Sequence, residues 1–408
     1  MSCGTALLMV MTFYDRLFVQ DTKDGYNKPM TTKTAKLLDD LDWDFADTPM
    51  ESGVHTIHPY PAKFIPQIPR QLIQLFPPKS NSVILDPFCG SGTTLVEAIN
   101  TGLDTWGIDL NPLACLISRV KTTQLPQSLD FAAEATAQKA RQCFTAGDVQ
   151  IPSIPRLDHW FKPEVQQSLA ALVTEIDREP TRAVREALQV TLSSIIVRVS
   201  NQESNTRYAA VENTYTAQDV FSQFKNAALT INRALLTLSD NLFRRLGHAT
   251  VLNRDILAIK PEELPNNVGL VITSPPYPNA YEYWLYHKYR MYWLGMDPME
   301  VREREIGARP HYFKKNAQDE TDFEKQMHTC FQLLSQVMLP EAKACFLVGR
   351  SIIHGRVIDN ATLLQRAAEP AGFIVKDVVT RNIPTTRKAF NPTHSKINRE
   401  HLIIFGLQ

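Results

Sequence analysis

The 408 residues exceed one ordinary domain of about 150, so the chain should hold two or three structural units. Hydrophobic residues at 44% and charged residues at 21% allow a packed core and exclude wholesale disorder. Lys+Arg and Asp+Glu both number 43, a formal net charge of 0, which excludes a global basic field as the means of meeting nucleic acid and leaves only local surfaces.

Residues 1–50 read as an extension without strong period or motif, and Met9, Met11 and Met30 leave open a natural start further along. The apolar stretch over 6–13 is shorter than the roughly 20 residues of a membrane span, and no Lys or Arg precedes it as in a signal peptide. A cytoplasmic protein without a membrane partner is expected. The six cysteines are never closer than 15 residues to one another, so no Cys-x-x-Cys pair is present to seed a metal site, and free thiols are expected.

The first predicted strand, 82–86, runs into Pro87-Phe-Cys-Gly-Ser-Gly-Thr-Thr94 and then a helix over 95–100. Strand, glycine turn and helix in that order are the grammar of α/β folds. Gly90 and Gly92 lack a Cβ and let a ligand approach the backbone. The third glycine of a dinucleotide fingerprint is missing, which argues against a pyrophosphate on the helix N-terminus. A second strand over 105–109 ends on Asp109, 23 residues after Asp86, where such folds hold a ribose diol. Capping a helix that starts near Asn111-Pro112 is the other reading of Asp109, and the two are compatible.

None of the 16 glycines falls between Gly147 and Gly247, and 163–176, 181–199 and 220–246 carry apolar residues three and four apart. A helical insertion is therefore predicted over 125–247, separating a first half at 51–124 from a second at 248–408. Further strands are predicted over 269–273, 344–349, 373–379 and 401–405, mostly with helical stretches between them. The expected fold is α/β, a mostly parallel sheet with helices on both faces, interrupted by the insertion. After the strand at 269–273, Ser274-Pro-Pro-Tyr277 must leave the sheet rigidly, because Pro275 and Pro276 lack N–H groups and hold φ near −65°. It leaves at the carboxyl edge, where open α/β sheets bind ligands.

Asp86-Pro-Phe-Cys-Gly-Ser-Gly-Thr-Thr94 with Gly107-Ile-Asp-Leu-Asn-Pro-Leu-Ala114 resembles the S-adenosylmethionine site of bacterial amino-methylating DNA methyltransferases. His55-Thr-Ile-His-Pro-Tyr-Pro-Ala-Lys-Phe64 is similar to the segment that precedes the cofactor turn in that family. The resemblance covers 52–120 and 250–290 and implies a Rossmann-like methyltransferase sheet. It implies cofactor contacts from His58, Lys63, Asp86, Phe88, Gly90, Gly92, Thr93, Asp109 and Leu110, with Asp255 on the adenine amino group. Ser274, Pro275, Pro276 and Tyr277 match the family's catalytic motif, [Asp, Asn or Ser]-Pro-Pro-[aromatic]. Serine at the first place is typical of cytosine-N4 enzymes and Asp or Asn of adenine-N6 enzymes, so N4-cytosine is expected and adenine is the main rival. Here the cofactor half comes first, whereas many N4 enzymes are permuted.

The chemistry accounts for these residue types. An exocyclic amino nitrogen is a poor nucleophile because its lone pair is delocalised into the ring. The Ser274 hydroxyl and the Pro275 carbonyl are suited to accept its two N–H bonds and aim the lone pair at a sulfonium methyl. Tyr277 is suited to stack on a base rotated out of the duplex.

The expected partner is double-stranded DNA, with a cognate restriction enzyme where the methylation guards a host genome. Phosphate contacts are expected from Arg381, Arg387, Lys388 and Lys396, in a loop rich in Pro, Asn, Thr and Ser. Other candidates for the DNA face are the cluster over 302–315, Trp160, Arg198, Asn201, Arg207 and Tyr208 in the insertion, and Tyr283, Trp284, His287, Lys288 and Arg290 after the catalytic loop. Competing readings are an RNA base methyltransferase, a nicotinamide-dependent Rossmann enzyme and a noncatalytic DNA-binding regulator.

Overall fold

The computed structural model describes residues 38, 40–46, 53–205, 207–239, 246–279, 282–313, 317–383 and 399–408. The chain divides into the units Met1–Leu41 and Asp42–Gln408, and everything below concerns the second.

Helix α1 (Gln67–Leu75) precedes the buried strand β1 (Val83–Asp86). The glycine turn then opens into α2 (Thr93–Asn100), whose N-cap Gly92 sits at φ 79°. Strand β2 (Thr105–Asp109) leads to α3 (Pro112–Lys121), capped by the Asn111 side chain, which accepts from the Leu113 N–H, with Pro112 in the first turn. The cap of α3 is thus Asn111, and Asp109 is left for other work.

Four long helices follow: α4 (Leu129–Ala146), α5 (Pro163–Asp177), α6 (Arg182–Val199) and α7 (Ala217–Ser239). Their apolar faces pack together and onto α2 and α3 as one core that contains Val96, Leu113, Ile117, Leu169, Leu188 and Phe224. The chain returns to the sheet through β3 (Ala249–Asn253) and β4 (Val268–Thr273). It continues through α8 (Tyr283–Trp293), α9 (Pro298–Arg304) and α10 (Glu320–Val337). Last come β5 (Met338–Ile353), β6 (Arg356–Asp359), α11 (Asn360–Ala368), β7 (Phe373–Asn382) and β8 (Arg399–Leu407). Residues of α10 and α11 cover the second face of the sheet in a core with Phe331, Phe346, Phe373 and Phe405.

The strand order is β3-β2-β1-β4-β5-β8-β7, with β6 hairpinned on β5. Strands β3, β2, β1, β4 and β5 run parallel to one another, and β8 runs antiparallel to both β5 and β7. The α/β class with helices on both faces is therefore observed, on a sheet that is mixed at its C-terminal end. Strand β3 was not anticipated. It is an edge strand of half-exposed residues, and it pairs with β2 over the whole of its length, from Thr105↔Ala249 to Asp109↔Asn253. From β1 the chain steps outward one way to β2 and β3, while β4 and β5 lie on the other side. This switch point brings the carboxyl ends of β1, β2 and β4 around one crevice.

Candidate active site

At that crevice lies a cavity of about 920 Å³, its open mouth to solvent included. The glycine turn supplies Asp86, Phe88, Gly90 and Thr93 to its lining, and the end of β2 supplies Asp109 and Leu110. Asp255 comes from the turn after β3, Ser274 and Pro276 from the loop after β4, and Lys63 from the segment before α1. Elements far apart in sequence thus share one wall. The serine before the twin prolines and the acid at the end of β2 open onto the same space.

Hydrogen bonds hold these groups in place. Asp109 Oδ2 accepts from the Gly90 N–H at 2.9 Å and its Oδ1 from the Asn111 N–H at 2.8 Å, which locks the glycine turn to the end of β2. Asp86 Oδ1 accepts from the Thr273 hydroxyl at 2.6 Å, which ties β1 to the last residue of β4 before Ser274. Asp255 accepts from the Leu257 N–H and forms an ion pair with Arg304 at 3.2 Å. Lys63 Nζ donates to the His55 carbonyl at 3.1 Å.

Several expected contacts lie elsewhere. His58 is buried and does not line the cavity; its Nε2 meets the Ser193 hydroxyl at 2.9 Å and its Nδ1 the Pro59 carbonyl at 2.8 Å, so it fastens the upstream segment to α6. Gly92 is also absent from the lining. A Cβ there would come within 2.7–3.0 Å of Ser118, so this glycine permits α2 and α3 to pack closely. Pro275 is buried behind the cavity wall. The Tyr277 ring packs into the second core, and its hydroxyl donates to Glu400 Oε1 at 3.3 Å.

Arg381 is withdrawn as a phosphate contact. Strand β7 extends past the predicted end, so Arg381 lies directly across from Glu400 in the β7–β8 ladder, 5% exposed, with its guanidinium on the Glu400 carboxylate at 2.9 Å. Arg387, Lys388 and Lys396 lie outside the described residues. In the insertion, Arg198 donates to Gln223 and Arg207 pairs with Glu203, while Trp160 is buried. Trp284, His287 and Arg290 are core residues as well.

Among the lining residues not expected at the cofactor site are Tyr60, Tyr283, Arg304 and Glu305. Tyr60 stacks on Tyr283 with centroids 5.7 Å apart. Glu305 is 7% exposed and accepts from the N–H groups of Tyr283 and Trp284, and so caps the start of α8. Burial pushes its carboxyl up to about 8, and pushes Asp86 and Asp109 up to about 6. The cavity therefore holds protonated or easily protonated acids until a ligand with cationic or donor groups satisfies them.

A pH test follows from Glu305. Its folded value lies above the ordinary 4.5, so the unfolded chain loses this proton first, and the contribution to stability is lost as pH rises from about 4.5 to about 8. Asp86 and Asp109 finish the same trend by about 6, leaving the upper part of the window to Glu305. Glu305→Gln should therefore gain stability over the wild type progressively between about pH 4.5 and pH 8, with a constant difference above, since Asp86 and Asp109 are common to both proteins. Thermal unfolding of both proteins across this range checks it; a pH-independent difference would show that Glu305 is ionised in the fold.

The donor set suits a cationic adenosyl compound. Four carboxyl groups line the cavity, ready for a diol, an ammonium and an amino group, and Asn111 adds a buried Nδ2 without a partner among the described residues. Among the described residues no group of three His, Cys, Asp or Glu side chains is placed to hold a metal ion, and no helix is long and apolar enough to cross a membrane.

Residues 14–119 match the family model described as DNA methylase, of the N6/N4 type. The Type II methyltransferase M.MvaI of Kocuria varians is 29% identical over 57% of this chain and 55% of its own length. M.MjaII of Methanocaldococcus jannaschii is 38% identical over 28% of this chain and 20% of its own, and M.BsoBI of Geobacillus stearothermophilus is 24% identical over 62% and 54%. The chain thus spans about half the length, or less, of these relatives.

Proposed function

We propose that this member of the amino-methylating DNA methyltransferase family transfers a methyl group from S-adenosylmethionine to the exocyclic N4 of cytosine within a short DNA sequence. The observation that carries this reading is that Ser274, first residue of the Pro-Pro-aromatic loop, lines the same cavity as Asp86, Asp109 and Asp255. When bound, the cofactor supplies an electrophilic methyl carbon on a sulfonium. Asp109 is placed to accept from the ribose hydroxyls, Asp255 from the adenine amino group, and Asp86 to offset the positive charge. Lys63, Phe88, Gly90, Thr93 and Leu110 complete the enclosure.

Ser274 Oγ, which lines the cavity, accepts an N–H bond of the target amino group. This draws the nitrogen toward tetrahedral geometry and leaves its lone pair facing the methyl carbon. With the cofactor bound, the sulfonium would supply the methyl carbon to this nitrogen and depart as a thioether, and one amino proton would pass to water. The twin prolines keep this acceptor from swinging away as charge develops.

For the DNA face this reading turns to Arg156, Lys288 and Arg302. Arg302 lies over the Trp284 ring at 5.3 Å and Lys288 over Tyr289 at 5.7 Å, both rings being on α8. The Tyr289 hydroxyl holds the Pro155 carbonyl at 3.2 Å, which brings exposed Arg156 to the same side. Burial and the charges of Arg156 and Arg302 hold the Lys288 ammonium below its usual range, the crowding that a run of phosphates would relieve. Adenine N6 is the second reading, favoured by the cofactor-first order of the motifs. Expression in an unmethylated host with single-molecule mapping of modified bases decides between them. N4-methylcytosine at one short motif is expected, N6-methyladenine there would transfer the assignment to adenine, and an unmodified genome would reject both.

A further inference from the structure

Strand β5 does not stop with the rest of the sheet. Thr273, at the end of β4, pairs with Phe346, and β5 runs on to Ile353, so it passes the end of β4 by seven residues, about 23 Å of strand. From Arg350 on it pairs with β6 alone among the described residues, through a two-residue turn with His354 at φ 49° and Gly355 at φ 78°. The result is a two-stranded arm at the carboxyl edge, where the cavity also opens. The inner face of the arm is fixed: Ile353 and Ile358 are buried in the second core, and Arg356 pairs with Glu320 at 3.0 Å. The outer face is exposed. There Ile352 and Val357 stand directly opposite each other, 39% and 64% exposed, with exposed Arg350 on the same side.

Direct contacts join this arm to the site. The side chain of Asn279, five residues after Ser274, donates to the Ile352 carbonyl at 2.6 Å. The exposed Phe313 ring meets His354 at the turn, centroids 6.3 Å apart, and the Arg309 guanidinium lies 5.4 Å from the same ring. His311 of that segment meets the Arg302 carbonyl at 3.0 Å, so the arm continues the face that holds Arg302. Arg350 stands across from Asp359, but that carboxylate accepts from the Ala361 N–H and the Thr362 hydroxyl, and Arg350 forms no ion pair among the described residues. The arm thus carries an apolar strip with one guanidinium at its base and another by its tip, which favours a polyanion over an apolar protein surface. A two-stranded ribbon fits a major groove about 12 Å wide, and apolar side chains cover base surfaces bared when a nucleotide is turned out of the stack. We propose that the β5–β6 arm lies in the DNA groove beside the extruded nucleotide, with Ile352, Val357 and Phe313 against the bases and Arg350 and Arg309 on the phosphates. This rests on the reading of the chain as an enzyme that acts on a base of duplex DNA.

Val357→Glu tests the arm, because it sets a carboxylate on the outer face and leaves the buried inner face alone. The dissociation constant for a mixed-sequence DNA duplex should rise about tenfold or more, the cost of a like charge held against phosphates, while that for S-adenosylmethionine stays within about threefold. Phe131→Glu, the same exchange at an exposed site on α4, should leave DNA affinity within about threefold. Arg350→Gln should lower the slope of log affinity against log salt by about 0.9, the share of one phosphate contact. Unchanged DNA affinity in Val357→Glu, an equal loss in Phe131→Glu, or an unchanged salt slope in Arg350→Gln would overturn the proposal. A change of oligomeric state on Val357→Glu with DNA affinity kept would give the face to a second copy of the chain, and tighter binding of an RNA duplex than of DNA would give it to RNA; either overturns it. Should Val357→Glu not fold, the salt slope of Arg350→Gln decides alone. A wild-type protein that binds the duplex but modifies no base rejects the reading of the cavity, while the affinities and slopes still judge the arm.

Discussion

Replacing Ser274 by alanine is expected to slow methyl transfer by about 100-fold or more while the affinity for S-adenosylmethionine stays within a few-fold, the consequence of removing one positioned acceptor. The expectation follows from where the side chain stands. Thr273 is held by Asp86 and the following prolines fix their own backbone, so alanine at 274 leaves the loop in place and deletes only the hydroxyl. An amino nitrogen with one acceptor fewer remains conjugated with the ring, and the penalty falls on the chemical step. Asp109→Ala should behave in the opposite sense. Its carboxylate fixes the Gly90 and Asn111 N–H groups as well as facing the cavity, so its loss loosens the turn and raises the cofactor dissociation constant. Calorimetric titration with S-adenosylmethionine and single-turnover rates on unmethylated DNA carrying the recognised motif separate the two effects. Ser274→Ala turning over at the wild-type rate would exclude the hydroxyl from catalysis.

Much of the sheet was legible because its strands are short, apolar and closed by glycine or proline. Residues 105–109 form β2 as predicted, and the chain leaves the sheet at Ser274 for the reason the two prolines supply. Strand β3 escaped notice because an edge strand buries little, and its five residues are all at least partly exposed. Side-chain roles were less legible than backbone shape. His58 has the chemistry of a ligand, but its ring is fixed by Ser193, 135 residues away in sequence. Arg381 stands among basic residues in an apparent loop, yet the strand runs on to Asn382, and the residue opposite it is the partly buried carboxylate of Glu400. Glu305 belongs to no local motif; only the docking of α9 beside α8 brings it to the cavity wall.

The same docking yields the second large effect, expected from Gly307→Ala. Gly307 follows Glu305 and Ile306 at φ 76°, and it accepts from the Asn279 N–H at 2.9 Å. A Cβ there would stand 2.5 Å from the Tyr277 carbonyl oxygen and 3.0 Å from its carbon, both backbone atoms that cannot swing aside. Alanine therefore costs about 1–3 kcal/mol for the left-handed conformation and about 1–3 kcal/mol for overpacking. The overpacking is relieved only by moving the segment that carries Ser274 and Tyr277, and a displacement of about 1 Å in a catalytic loop is enough to slow transfer by roughly 100-fold. Gly295 provides the comparison. It sits at φ 68° with nothing within 4 Å of an added Cβ, so Gly295→Ala bears the backbone strain without the collision. Thermal unfolding should show a loss of stability in both variants, larger in Gly307→Ala, while single-turnover transfer per folded molecule should collapse in Gly307→Ala alone. Equal transfer rates in the two variants would mean that the catalytic loop does not lean on this glycine.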